Sequence, residues 1–164
     1  MTQSSLFDDP AGLRQDEPAD ARPDEHLDEV MIFCDGGSRG NPGPSAIGAV
    51  VLDPTADPPK LLAEVSARIG ITTNNVAEYE ALIAGLEAAA EFEATCVRVR
   101  ADSKLVIEQV KGGWKVKQPH LIPLRDRARA LLAGYAETDL QHVPRAQNAA
   151  ADALVNAALD AADD

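Results

Sequence analysis

The amino-acid sequence predicts an α/β fold in which a five-stranded mixed sheet carries helices on its faces, in the order β-β-β-α-β-α-α-β-α. Three apolar runs separated by short turns come first, a pattern typical of an antiparallel meander. Helical and strand patterns then alternate, which is typical of a mixed sheet with helices packed against it. The length of 164 residues corresponds to one folded domain.

Distinct patterns mark the first four elements. Residues 30–34 are a continuous apolar run, typical of a central strand that is buried on both faces. Glycine and proline separate this run from a second strand at 46–52, and a proline-rich turn separates that strand from a third at 61–69. Between 76 and 90, apolar residues recur at helical spacing, which predicts an amphipathic helix.

The remaining five elements are predicted in the same way. Residues 95–101 are predicted to form a strand. Helical patterns at 103–110, which a Gly-Gly pair ends, and at 121–132 indicate two further helices. A short strand at 140–143 precedes an alanine-rich helix at 146–158.

The charge is distributed unevenly along the chain, whose net charge is −12. Residues 1–29 hold nine acidic residues and two arginines without apolar periodicity, so we expect a disordered acidic tail there. Residues 30–160 are predicted to form the folded domain, and 161–164 a short acidic end. Residues 104–129 carry seven basic and two acidic residues around Trp114, which fits a phosphate-backbone footprint or a solvated helix face.

The composition also argues against several classes of protein. No apolar run approaches the ~18 residues that span a bilayer, and the first residues lack the pattern of a signal peptide. The two cysteines match no metal-binding or redox spacing. We therefore expect a cytoplasmic protein that has no membrane partner.

Four acidic residues stand where predicted strands end or where predicted helices face the sheet. Asp35 and Asp102 each close a strand, Glu78 shares a helix row with Leu82, and Asp152 lies in the last helix. Taken singly, each also fits an ordinary role: a turn at Asp35, a capping box at Glu78, an N-cap at Asp102 and a surface position at Asp152.

If these elements meet at one end of the sheet, the four carboxylates share a cleft. Such a cluster repels itself unless a divalent cation neutralises it. A set of oxygen ligands without histidine or cysteine suits Mg²⁺ or Mn²⁺ rather than zinc. Carboxylates that hold hard cations are suited to phosphodiester hydrolysis.

Each of these four carboxylates lies in a short sequence motif. DGGSRGNPGP at 35–44, TTNNVAE at 72–78, ADS at 101–103 and NAAAD at 148–152 resemble, in order and spacing, the type 1 ribonuclease H family. The resemblance covers about 30–160 and implies a ribonuclease H-like fold. It also implies an endonuclease that cuts the RNA strand of an RNA/DNA hybrid and leaves 5′-phosphate and 3′-hydroxyl ends.

The resemblance further implies which residues form the site. Asp35, Glu78, Asp102 and Asp152 match the catalytic carboxylates that hold two Mg²⁺ ions, for which Mn²⁺ can substitute, and Asp35 would bridge both. Gly36 and Gly37 would let the backbone approach the RNA closely. The resemblance also matches Asn41, Thr73, Asn74 and Asn75 to positions that grip the two backbones of the hybrid. The other residues predicted to bind substrate are Ser38, Arg39, Ser103, Lys104, Trp114, Lys115, Arg145 and Asn148.

The sequence departs from many family members at three places. The basic handle is short, with one tryptophan between 110 and 123, and Lys104 stands where the family often has glutamine. The stretch 142–148 is too short for the mobile histidine loop. We predict that His142 is a packing residue at a strand end, and that Arg145 takes the phosphate-facing role of that loop.

Two other functions compete with hybrid cleavage, namely a nuclease of the same fold that acts on DNA and a non-catalytic hybrid-binding module. The TTNN and GNPG segments favour hybrid recognition, and all four carboxylates are present. We expect a monomer. Gln3, Leu6 and Phe7 in the tail resemble the peptide by which bacterial replication proteins dock on the sliding clamp, although three matching positions also arise by chance.

Overall fold

A five-stranded sheet organises residues 27–162, which the computed structural model describes. Its strands are β1 (Glu29–Ser38), β2 (Gly43–Asp53), β3 (Lys60–Thr72), β4 (Cys96–Ala101) and β5 (Glu137–His142). They lie in the order β3-β2-β1-β4-β5. β1, β2 and β3 pair antiparallel, whereas β4 pairs parallel with both β1 and β5. The predicted mixed sheet and its initial meander are therefore confirmed.

Four helices accompany the sheet, as predicted. They are α1 (Asn74–Ala90), α2 (Lys104–Lys111), α3 (Ile122–Leu132) and α4 (Ala149–Ala162), with short 3₁₀ turns at Pro119–Leu121 and Arg145–Asn148. Ser103 caps α2 by accepting a hydrogen bond from the backbone N–H of Val106. Gly112 ends α2 in a left-handed conformation, at φ 96°, which a residue without a side chain adopts at little cost.

The two principal helices pack on opposite faces of the sheet. The contacts of β2 show this, because a side chain at Gly48 would run into Leu154 of α4, whereas the methyl group of Ala49 points toward Gly85 of α1. Under α1 lies the main core, in which Tyr79, Leu82 and Leu86 are fully buried. Under α4 lies a smaller cluster of Ala46, Val155 and Leu159.

Several boundaries differ from the predicted ones because pairing, not local pattern, sets strand length. β1 continues past Asp35 because Gly36, Gly37 and Ser38 still pair with β2. β5 begins at Glu137 because it pairs with Cys96 at the start of β4. The last helix was predicted from 146, but the structure places 145–148 in a 3₁₀ turn.

The predicted tail and end also need adjustment. Residues 1–26, with the predicted clamp peptide, lie outside the described residues. Residues 27–29 belong to the fold, since Leu27 packs against the core and Asp28 accepts a hydrogen bond from Cys96 through its backbone oxygen. At the other end α4 continues to Ala162, two residues beyond the predicted domain. Among the described residues, no helix is long and apolar enough to cross a membrane.

Candidate active site

Two carboxylates meet because β1 and β4 run parallel side by side. Cys34 pairs with Ala101, so the next residue of each strand, Asp35 and Asp102, stands at the same edge of the sheet. Asp35 is only 7% exposed, whereas Asp102 is half-buried. The prediction that both residues meet at one end of the sheet is confirmed, although β1 continues past Asp35 to Ser38.

Glu78 reaches this edge from α1. Its Oε1 accepts a hydrogen bond from the backbone N–H of Gly36 at 2.9 Å. A Cβ at Gly36 would overlap the backbone of Ala77, so α1 lies directly against β1 at this point. The capping-box interpretation of Glu78 is wrong, since Thr73 is the N-cap of α1 and Glu78 binds Gly36 instead. The missing side chain of Gly36 makes room for α1, while Gly36 also lines the cleft, so close approach of an RNA backbone there stays a prediction.

Asn148 connects Asp102 to the rest of the site. Its Nδ2 donates to Asp102 Oδ1 and to the backbone oxygen of Cys34, both at 2.9 Å. Asn148 is 1% exposed, so its assignment to substrate binding is wrong, and it holds Asp102 in place instead. The N-cap interpretation of Asp102 is wrong as well, since Ser103 caps α2. A substrate contact of Ser103 stays a prediction.

Asp152 completes the group from α4. It lines the same cleft as Asp35, and its side chain is 29% exposed. Arg145 Nη2 lies 3.4 Å from Asp152 Oδ1, and Asn156 Nδ2 donates to the Asp152 backbone oxygen at 3.1 Å. The four carboxylates and Arg145 line one cleft of about 320 Å³.

The carboxylates are close enough to perturb one another. Oxygen atoms of Asp35, Glu78 and Asp102 all lie within 4.8 Å of one another. Burial, reinforced by the charge of Asp102, raises the pKa of Asp35 to about 8. Burial and the charge of Asp35 likewise raise the pKa of Glu78 to about 8, against the lowering effect of the Gly36 N–H. This oxygen-only donor set, which needs neutralising charge, fits a hard divalent cation.

A network of side chains fixes the loop beside the cleft. The backbone N–H of Ser38 donates to Asn74 Oδ1 at 3.1 Å, and the backbone N–H of Asn74 donates to Asn41 Oδ1 at 3.0 Å. The hydroxyl of Ser38 donates to the Thr72 backbone oxygen at 3.0 Å, so it serves the loop rather than a ligand. The side-chain oxygens of both asparagines thus accept hydrogen bonds from the backbone of this loop region. Both residues are nevertheless exposed.

Three further predicted residues of this region contact other parts of the chain. Arg39 forms an exposed ion pair with Asp160 of α4 at 2.6 Å. Thr73 accepts a hydrogen bond from Val76 as the N-cap of α1. Gly37 lines the cleft, and a Cβ there would lie 3.3 Å from Val155, so its small size also accommodates α4.

A second groove lies on the other side of the first turn of α1. It has a volume of about 550 Å³, and its lining includes Asn75, Trp114, Lys115 and Lys117. Trp114 is 46% exposed, and Lys104 Nζ lies 5.9 Å from the centre of its ring. Asn74 lines the carboxylate cleft and the adjacent Asn75 lines this groove, so neighbouring residues serve two cavities.

The basic segment 104–129 does not act as one surface. Arg125 pairs with Asp126 and Arg127 with Glu87, each at 2.9 Å. Arg129 donates to the backbone oxygen of Val110 at 3.0 Å. The arginines of α3 therefore make internal contacts, and the charge beside the groove comes from lysines.

Comparison with known proteins places this site in a family. The family model described as reverse transcriptase-like matches residues 33–158. The chain is 48% identical to a crystal structure of RNase H1 from the halophilic archaeon Halobacterium salinarum, with a TM-score of 0.76, covering 80% of this chain and 98% of that one. The chain belongs to the type 1 ribonuclease H family.

Other ribonuclease H relatives extend the comparison. The crystal structure of LC11-RNase H1 in complex with an RNA/DNA hybrid is 43% identical, with a TM-score of 0.75, over 82% of this chain and 99% of that one. The bifunctional protein Rv2228c of Mycobacterium tuberculosis is 53% identical over 134 residues, which are 82% of this chain. The chain spans only 36% of the length of that mycobacterial protein.

In this ribonuclease H the connection between β5 and α4 brings Arg145, not His142, to the cleft. His142 ends β5 and is exposed, so the prediction that it is a packing residue is wrong. Leu140, two residues earlier on the same side of β5, is buried, whereas His142 lies at the end of this edge strand. Sequence analysis missed Asn156, whose spacing of four residues from Asp152 on α4 was the available signal.

Proposed function

We propose that this chain hydrolyses the RNA strand of RNA/DNA hybrids at the carboxylate cleft and leaves 5′-phosphate and 3′-hydroxyl ends. The observation that carries the proposal is the meeting of Asp35, Glu78 and Asp102 within 4.8 Å, with Asp152 beside them. Such a concentration of buried negative charge is costly unless it has a use. The hybrid bound to the related LC11-RNase H1 supports the substrate class.

The four carboxylates would hold two Mg²⁺ ions, which Mn²⁺ can replace. Bound divalent cations supply a water nucleophile of lowered pKa and stabilise charge on the leaving oxygen. Asp35 is the most buried of the four, and its carboxylate lies within 4.8 Å of those of Glu78 and Asp102, so it would serve both ions. Glu78 lines the cleft and is oriented there by the Gly36 N–H.

The two cavities on either side of α1 suit the two strands of a duplex. The RNA strand would lie along the carboxylate cleft, where the amides of Asn41 and Asn74 can donate to phosphates and 2′-hydroxyls without reading bases. The DNA strand would follow the groove that includes Asn75, Trp114 and Lys115. Lysine contacts to phosphates and an exposed indole ring are suited to a backbone of any sequence.

Arg145 is proposed to bind the scissile phosphate and to assist product release. Its side chain is 76% exposed and lines the cleft. The distance of 3.4 Å between Arg145 Nη2 and Asp152 Oδ1 is long for an ion pair. We expect Arg145→Ala to slow turnover and leave Mg²⁺ binding intact, whereas His142→Ala changes neither. Slower turnover in His142→Ala alone would transfer the role to His142.

Three further features of the proposed function are supported by the sequence alone. We propose that the protein acts as a monomer in the cytoplasm. We also propose that Gln3, Leu6 and Phe7 dock on a replication sliding clamp, where a leucine-phenylalanine pair would fill an apolar pocket.

Cleavage assays on three substrates test the proposed activity. Wild-type protein with Mg²⁺ should cut the RNA of a hybrid, but neither duplex DNA nor duplex RNA. Asp102→Asn, which keeps the shape of the side chain, should lower the rate by orders of magnitude, whereas Asp126→Asn on the exposed side of α3 should not. Cleavage of duplex DNA would favour the other nuclease activity, and binding of hybrid without cleavage by the wild type would favour a binding module.

A further inference from the structure

A buried glutamine lies between the helix that carries Glu78 and the basic loop. Gln109 of α2 is 4% exposed and lies at the wall of the groove that Trp114 and Lys115 also line. Burial of an amide is unfavourable unless its polar atoms are hydrogen-bonded. Gln109 meets this condition on both sides, because Oε1 accepts from the Tyr79 hydroxyl at 2.7 Å and Nε2 donates to the Lys115 backbone oxygen at 3.4 Å.

The hydroxyl of Tyr79 fixes which way this amide points. Tyr79 is fully buried on α1, directly after Glu78. Its hydroxyl donates to Gln109 Oε1, so the amide presents its oxygen to Tyr79. The nitrogen of Gln109 is then the group that faces the loop and can bind a carbonyl.

The loop after α2 is held at further points close to Gln109. The backbone N–H groups of Gly113 and Trp114 donate to the Glu108 backbone oxygen at 2.9 and 3.2 Å. Arg129 of α3 donates to the backbone oxygens of Val110 and Gln109 at 3.0 and 3.2 Å. These contacts fix the beginning of the loop, and the Gln109 amide is the contact that reaches Lys115.

From these contacts we propose that Gln109 and Tyr79 are positioning residues that hold Trp114 and Lys115 in register with the first turn of α1, so that one short loop grips the substrate. This proposal rests on the proposed function. Trp114 and Lys115 line the same groove as Asn75, four residues before Tyr79 on α1. The rigidity of a loop that carries one tryptophan would thus substitute for the larger contact area of a long handle, because a pre-ordered loop loses less entropy on binding.

The proposal predicts an effect on substrate affinity rather than on chemistry. Gln109→Met keeps the volume of the side chain and removes both hydrogen bonds, and Tyr79→Phe removes only the hydroxyl. We expect Gln109→Met to raise KM about five-fold, the factor that one lost hydrogen bond of typical net strength produces. The kcat should stay within about two-fold, because the carboxylate cleft is unchanged. Tyr79→Phe should change KM in the same direction by a smaller factor.

The fluorescence of Trp114 gives a readout that is independent of any substrate. It is the single tryptophan of the chain, so emission and acrylamide quenching report this loop alone. In free protein, quenching should increase in Gln109→Met and in Tyr79→Phe. A matched control is Gln141→Leu, which removes an exposed glutamine of β5 and should leave both KM and quenching unchanged.

The outcomes separate this proposal from the proposed function. Increased quenching together with increased KM at constant kcat supports it. Unchanged quenching in both variants overturns it, and so does increased quenching without any change in KM. If the wild type does not cleave hybrids, the proposed function fails, and the quenching of the two variants still decides whether Gln109 holds the loop.

Discussion

The side-chain nitrogen of Asn148 lies 2.9 Å from a carboxylate oxygen of Asp102, a residue 46 positions earlier in the chain. The same nitrogen lies 2.9 Å from the backbone oxygen of Cys34, which directly precedes Asp35. One buried amide therefore joins the ends of β1 and β4 to the turn that starts α4. The relative positions of three carboxylates depend on a residue that itself contacts no solvent.

Removal of this amide should weaken both the fold and the site. We expect Asn148→Ala to lower the free energy of unfolding by about 1–3 kcal/mol, since it leaves the Cys34 oxygen and Asp102 without a donor. Mg²⁺ affinity, measured by calorimetry, should fall because Asp102 is no longer held. Asn148→Asp should be worse in both respects, because it places a second carboxylate against Asp102. Unchanged Mg²⁺ affinity in a folded Asn148→Ala protein would contradict this role.

The raised pKa values of Asp35 and Glu78 predict how stability depends on pH without metal. Both carboxyls bind protons more tightly in the folded state, with pKa values of about 8 against ordinary values of 3.8 and 4.5. Their favourable contribution is therefore complete below about pH 4 and is lost as the pH rises to about 8. In thermal melts with EDTA, the free energy of unfolding should fall by at least about 1 kcal/mol between pH 5 and 8.

Two controls test the origin of this pH dependence. Asp35→Asn should flatten it, whereas Asp126→Asn should retain the slope of the wild type. Addition of Mg²⁺ should restore stability at the alkaline end, where the carboxylates are ionised, because a ligand that binds only the folded state stabilises it. Stability that rises with pH in EDTA would show that burial does not control these groups.

The lysines of the groove should account for the salt dependence of substrate binding. Replacement of Lys115 and Lys117 by alanine should raise KM more than it lowers kcat. It should also reduce the salt slope of hybrid binding by about 1 for each lysine that contacts a phosphate. Replacement of Arg125 and Arg127 serves as the control, since these arginines are paired with Asp126 and Glu87. An equal change of slope in both double variants would mean that the charge acts without a specific surface.

The two glycines after Asp35 should differ in their tolerance of a methyl group. Gly36→Ala places a Cβ against the backbone of Ala77 and must displace α1, so we expect destabilisation of at least about 2 kcal/mol and loss of activity. Gly37→Ala meets only the Val155 side chain at 3.3 Å, which can move slightly. Chemical denaturation and cleavage assays of the two variants should therefore rank Gly37→Ala well above Gly36→Ala.

The tail should affect recruitment and not cleavage. Deletion of residues 1–26 leaves Leu27 and the whole of β1, so hybrid cleavage should persist, with a slight gain because seven acidic residues are removed. A peptide of residues 1–12 should bind the sliding clamp of the host, and a Leu6→Ala, Phe7→Ala peptide should not. Equal binding by both peptides, or none by either, would dismiss the docking hypothesis.

Regular patterns made much of this molecule predictable from sequence. The carboxylates could be placed because two of them end apolar strands, and because Glu78 shares a row with Leu82, which is fully buried. Contacts between distant segments could not be derived from such patterns. The burial of Asn148, the fit of Gly36 under α1 and the internal contacts of Arg129 each depend on how elements dock. Short strands such as β5 were misplaced at their ends because a neighbour's register sets their limits.

The position of Asp152 on α4 has a consequence for the newly made chain. Synthesis delivers β1, α1 and β4 with three of the carboxylates long before it delivers α4. A nascent chain that has reached only β5 lacks both Asp152 and Asn148, so its cleft is incomplete while the ribosome is still translating. The cleft is complete only after α4 has been synthesised, so a fragment that ends before Asn148 lacks both residues.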